Sequence, residues 1–169
     1  MTSHKTPPKS AYDRLWLLMY AVQSFDNLRI ACDYIAQERL KETDPIYYPL
    51  IVAAHVLYAR PFRKSHLSGS LSSQIVPPKF LPLHNRTLLM RDKLMAHLDA
   101  DSPDLVGEPG NRVILDLSQG HVSVHTRRVL ANPGEISKLS DLSVLLFNRA
   151  KRRTHLAAQT SSVAKHQPA

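Results

Sequence analysis

Apolar residues recur at helical spacing along most of this chain, and clusters of proline and glycine divide the pattern into separate stretches. Leu15, Leu18, Met19 and Val22 share one helical face, and Phe25, Leu28, Ala31, Cys32 and Ile35 continue it. The spacing predicts one long helix, or two stacked ones, over about 11–41, with Ser10 placed as its N-cap. Thr43 or Asp44 is placed to cap a second helix, IYYPLIVAAHVLYAR, with Pro45 in its first turn and Pro61 at its end. Pro49 is expected to bend that helix slightly near its start.

Residues 63–82, RKSHLSGSLSSQIVPPKFLP, read as a polar loop. A third helix is predicted over HNRTLLMRDKLMAHLDA, residues 84–100, and residues 99–111 break the pattern again. Alternation of Val113, Leu115 and Leu117, then of Val122 and Val124, predicts a β-hairpin over about 112–126 that turns near Gln119–Gly120. A last helix is expected over about 136–156, built on Leu139, Leu142, Leu145 and Leu146. The expected fold is mainly α, a bundle of four to five helices with one small β-hairpin insertion. Residues 1–9 and 158–169 read as disordered ends of a single domain spanning 10–157.

The chain has 169 residues, enough to bury a real core, with 43% hydrophobic and 21% charged residues, as in globular proteins. No apolar run approaches the ~20 residues of a membrane-spanning helix. The segment MTSHKTPPKS has no apolar core like that of a signal peptide. Cys32 is the single cysteine and cannot form an internal disulfide; its place on an apolar face reads as a core thiol. These features lead us to expect a cytoplasmic protein with no membrane association. The formal charge of +8 is uneven: the first 148 residues hold 17 basic and 14 acidic residues, a net of +3, whereas residues 149–169 hold five basic residues and no acid. A basic tail of this kind either solubilises the chain or attracts phosphate backbones without reading sequence.

The third helix poses a chemical problem. On a helical wheel Arg91 lies between Leu94 and Leu98 on one side and Met95 and Leu88 on the other, and His84 lies on the same line. A guanidinium in an apolar stripe has to be paired, because burying it alone costs several kcal/mol, on the order of 3 or more. Arg91 therefore either meets an acid of the first helices (Asp26, Asp33 or Glu38) or lines a cleft or a subunit interface. His97 falls beside Met90 and Arg86, where a histidine in the last turn also suits the helix dipole.

Arg91-Asp92-Lys93-Leu94-Met95-Ala96-His97 resembles the motif of the HEPN superfamily: an arginine, a polar residue, a few mostly apolar residues and a histidine. More narrowly, residues 46–99 look like the abortive-infection-type HEPN proteins of bacteria. The similarity lies in Tyr58-Ala59-Arg60-Pro61-Phe62 at a helix end, a loop containing Gly69, Leu83-His84 at the start of the motif helix, and Ala96-His97-Leu98-Asp99 after Arg91-Asp92-Lys93. It covers about a third of the chain closely; the basic tail lies outside it. The resemblance implies a HEPN-like helical bundle and a metal-independent endoribonuclease, of the kind found among toxins of toxin–antitoxin pairs and phage-defence effectors. It also implies a homodimer through the motif helix, RNA as the partner, a cognate antitoxin as a further partner, and Arg91, His97 and Asp92 as catalytic residues.

Side-chain chemistry is compatible with that expectation. RNA carries its own nucleophile, the 2′-hydroxyl. His97, with an ordinary pKa near ~6.5, can take or give a proton. Arg91 offers a planar, permanently charged fork for the charge that grows on phosphorus, and Asp92 could hold either side chain in place. Arg86, Lys93, Arg60 and His84 are the candidate RNA-binding residues; for Arg60-Pro61-Phe62 a simple helix stop with Phe62 in the core is the competing reading. Among nine histidines, His121 and His125 are four apart, which on a strand separates them by about 13 Å. Neither a metal site nor a cofactor is expected. The other functional reading is a non-catalytic helical dimer that binds RNA or a partner protein.

Overall fold

The computed structural model describes residues 11–64, 69–95, 112–116, 123–127 and 133–163. Ser10, His97, the turn at Gln119–Gly120 and the segment 164–169 lie outside these residues. Among the described residues the architecture is mainly helical: α1 (Ala11–Gln37), α2 (Tyr47–Ala59), α3 (Leu81–Leu89) and α4 (Pro133–Val163). Short 3₁₀ turns cover Arg60–Phe62, Ser73–Ile75 and Pro78–Phe80, and a π-helical segment, Met90–Met95, continues α3. Strands β1 (Arg112–Asp116) and β2 (Ser123–Arg127) pair antiparallel with Ile114 opposite His125. No described helix is long and apolar enough to cross a membrane.

α1 is one continuous helix rather than two stacked ones, and it stops four residues earlier than its spacing suggests. The stop is a Schellman motif. The Leu40 amide donates to the Ile35 carbonyl at 3.0 Å, and the Arg39 amide to the Ala36 carbonyl at 3.2 Å. Arg39 holds the left-handed position (φ 51°) that glycine usually takes. The following turn uses Asp44, whose carboxylate accepts from the Lys41 amide at 2.6 Å and whose carbonyl accepts from the Tyr47 amide at 3.0 Å. Asp44 thus organises the turn, and α2 starts at Tyr47. Pro49 falls in the first turn of α2, where a missing N–H leaves no bond unmade.

The core lies where α1, α2 and α4 meet. Phe25, Leu28 and Ile35 of α1, Ile51 and Tyr58 of α2, and Leu139, Leu142 and Leu146 of α4 are buried together. Each such side chain stabilises the fold by roughly 1.5–3 kcal/mol, so this apolar contact outweighs any single polar link described below. The segment 63–82 is more than a polar loop: Ile75 and Val76 enter the core. Gly69 (φ 76°) lets the chain turn back, so that the Leu71 amide reaches the Pro61 carbonyl at 2.8 Å. Arg149 reaches from α4 to donate to the Ile75 carbonyl at 2.7 Å. α4 runs from Pro133 to Val163, longer at both ends than the 136–156 its periodicity predicts. Arg149, Lys151, Arg152 and Arg153, inside the span predicted as helix, are helical.

Candidate functional site

The segment with the unusual arginine is also where the backbone departs from the α-helix. Thr87 donates its hydroxyl to the Leu83 carbonyl at 2.8 Å, a side-chain bond that loosens the local ladder. The Met90 amide is shared between the carbonyls of Arg86 and Thr87. From Met90 to Met95 the pairing is i→i+5. Positions assigned on a 3.6-residue wheel therefore shift from Met90 onward. Met90 is buried, while Arg91 and Asp92 are half-buried.

Arg91 does not reach the acids of α1. Asp26 and Asp33 both pair with Arg29 of their own helix, at 3.1 and 2.9 Å. Arg91 Nη1 instead donates to Asp92 Oδ1 at 2.9 Å. The other carboxylate oxygen, Oδ2, accepts from Nη2 of Arg63. Arg63 also donates to the Leu88 carbonyl at 3.4 Å, so it links the end of α2 to the motif segment. One carboxylate thus sits between two guanidinium groups, leaving an excess of one positive charge. Burial and the neighbouring Arg91 both pull Arg63 below the ordinary arginine range. Among the described residues, the Nε atoms of Arg63 and Arg91 are buried with no acceptor. Two planar cations with unused donors in a half-buried setting can hold a phosphate or another oxyanion.

Beneath this cluster lies an aromatic seat. Arg60–Phe62 follows α2 as a 3₁₀ turn, and Phe62 packs edge-on against the ring of His84 at 4.7 Å between centroids. The Tyr58 hydroxyl lies 2.7 Å from Nδ1 of His84. Burial, then the nearby Arg63, lowers the pKa of His84, and burial raises that of Tyr58. Both groups are therefore neutral at pH 7, and the phenol can donate to the imidazole. His84 is a buried core histidine in this arrangement.

The remaining nominated residues separate. Arg86 forms a two-point ion pair with Glu135 of α4, Nε to Oε1 at 2.8 Å and Nη2 to Oε2 at 3.2 Å. Beside it, His55 is buried with Nδ1 donating to the Ile51 carbonyl at 2.8 Å. His55, Arg86, Thr87, Met90, Glu135 and Leu139 line a cavity of about 10 Å³, space for roughly one water. Arg60 is exposed at the end of α2. Lys93 lies in the π segment. Asp92 and Arg91 are together, whereas Arg86 points to a different helix. Cys32 is buried, and its thiol is pushed up to about 12 by burial and Asp33, as suits a core residue.

Sequence reasoning passed over Arg63, His55 and Glu135. Arg63 opens a stretch read as loop, and the signal that could have found it was the need of Asp92 for a second cation. Compared with protein-family models, curated proteins and solved structures, the chain matches none.

Proposed function

We propose that the chain is a HEPN-type, metal-independent endoribonuclease of a toxin or phage-defence system. The observation that carries this reading is the convergence of Arg63 and Arg91 on Asp92 within the Arg91–His97 motif. In this mechanism the two guanidinium groups hold the scissile phosphate and take up the charge that develops on its oxygens. Asp92 keeps the forks apart and oriented. His97, as general base, accepts the proton of the 2′-hydroxyl while that oxygen attacks phosphorus. The bond from phosphorus to the 5′-oxygen breaks, and that oxygen takes up a proton from a second acid. The products are a 2′,3′-cyclic phosphate and a 5′-hydroxyl. A homodimer through the motif helix would supply that acid as the second copy of His97.

The test is incubation of the purified protein with total RNA in EDTA, beside the His97→Ala and Arg63→Ala variants. Cleavage by the wild type alone, with cyclic-phosphate ends, supports the proposal. The internal pairing of Arg91 with Asp92 favours a second reading, a non-catalytic module that binds RNA or a partner protein. Under it, wild type and variants bind RNA to different extents and none cleaves.

A further inference from the structure

α1 carries two apolar faces. The first is the core face described above. On the opposite side Tyr12, Trp16 and Met19 (read above with the core face, but exposed) follow i, i+4, i+7 spacing, Ile30 stands about five whole turns after Tyr12, and Tyr34 one turn later. All five side chains are between 45% and 74% exposed. They form a stripe roughly 33 Å long. Trp16 is held rigid by stacking on Tyr20, with ring centroids 5.3 Å apart and planes within 9°.

The stripe has a two-fold pattern. Tyr12 and Tyr34 lie eleven residues either side of Gln23, and Trp16 and Ile30 lie seven residues either side. Gln23 is exposed at the midpoint of the same face. Laid antiparallel on a second α1 about Gln23, the stripe places Tyr12 on Tyr34 and Trp16 on Ile30, with the two Gln23 amides meeting on the axis. A lone polar pair in an apolar seam is a device that fixes register.

The area fits as well. At about 200 Å² for a side chain of this size, the exposed fractions amount to roughly 550 Å² per copy. A symmetric pair would cover roughly 1,100 Å², above the ~1,000 Å² that separates specific interfaces from incidental ones. Charge agrees with the same register. Next to the stripe, Met19 and Val22 line an apolar groove with Lys151 of α4. The two-fold sets Asp26 of one copy at the level of that groove in the other.

We propose that α1 pairs with the α1 of a second copy of this chain, antiparallel and centred on Gln23. This surface is separate from the motif segment, so it adds a second self-contact to the pairing through the motif helix and does not rest on the nuclease reading.

Helix axes about 10 Å apart, with Cα atoms at a radius of about 2.3 Å, leave about 5.4 Å between facing Cα atoms, within disulfide range. Gln23→Cys should therefore oxidise to a covalent dimer, whereas the wild type, whose one thiol Cys32 is buried, should not. A mixture of Tyr12→Cys and Tyr34→Cys chains should cross-link to each other in preference to themselves. In sedimentation, Trp16→Glu and Ile30→Glu should each weaken self-association at least tenfold and abolish the Gln23→Cys cross-link, with unchanged helical circular dichroism; a dimer held through the motif helix would survive both changes. A monomeric wild type would overturn the proposal, as would self-association and Gln23→Cys cross-linking that are both indifferent to the glutamates. Self-cross-linking by Tyr12→Cys in preference to Tyr34→Cys would also overturn it, because it would mean a parallel pair.

Discussion

The hydroxyl of Tyr58 and Nδ1 of His84 lie 2.7 Å apart inside the core, and this contact joins α2 to α3 at the foot of the motif segment. Tyr58→Phe removes the hydroxyl and leaves a buried ring nitrogen without that partner. We expect a loss of about 1–3 kcal/mol, read as a lower denaturant midpoint at unchanged slope. His84→Phe in the same background should recover part of it, because then neither polar atom is buried.

Burial lowers the pKa of both His55 and His84; Arg86 adds to the effect at His55 and Arg63 at His84, while the Ile51 carbonyl opposes it at His55. The folded state therefore binds fewer protons than the unfolded chain just below the ordinary histidine pKa near ~6.5. Stability should be level above about pH 6.5 and fall as pH drops toward 5, by at most about 1.4 kcal/mol per pH unit for each histidine. Urea titrations between pH 5 and 8 measure this slope, and His55→Gln and His84→Gln should each flatten it.

Arg86 and Glu135 pin α3 to α4 by two contacts beside a small cavity. Each single change, Arg86→Met or Glu135→Gln, should cost about 1–3 kcal/mol, because it strands the partner's charge in a partly buried place. The double variant should cost less than the sum of the two. A double-mutant cycle by thermal or chemical unfolding gives the coupling directly.

At the end of α1, Arg39 carries a side chain in the left-handed region. Relief of that strain, on the order of 1–2 kcal/mol, is partly offset by the greater freedom of glycine in the unfolded chain. Arg39→Gly should therefore stabilise the protein by about 0.5 kcal/mol. Arg39→Ala loses the charge but keeps the strain, and should give no gain in the same melting experiment.

Arg63 offers a readout for the cation cluster that does not depend on cleavage. Arg63→Ala should weaken binding of a short RNA and make log Kd less steep against log salt, by roughly one phosphate contact. Asp92→Asn removes a negative charge between Arg63 and Arg91 and should tighten RNA binding while lowering stability. Fluorescence anisotropy at three salt concentrations separates the two effects.

The helices were legible where apolar spacing and breakers act together. The stop at Pro61 follows from local chemistry that the residues themselves display. Three features were not. Arg39 ends α1 in a position where a sequence reading looks for glycine. The π segment at Met90–Met95 was hidden because a helical wheel assumes 3.6 residues per turn. The partner of Asp92 was hidden because Arg63 is 29 residues away in a stretch without periodicity. Spacing identifies which face of a helix is apolar. It does not say which helix will cover it, so the pairing of α1 with α4 emerges only in three dimensions.

The placement of α4 has a consequence for how the protein is made. Phe25 and Leu28 are covered by Leu139, Leu142 and Leu146, more than a hundred residues later in the chain. Closing so long a span adds little to the equilibrium cost, about 0.6 kcal/mol per doubling of length, but it sets an order of events. During synthesis α1 leaves the ribosome with its inner face open, α2 arrives first as partial cover, and the core closes only after the residues of α4 have emerged. A nascent chain halted before Pro133 would present that face to chaperones and proteases, so quality control of this protein should act on the unfinished polypeptide rather than on the finished one.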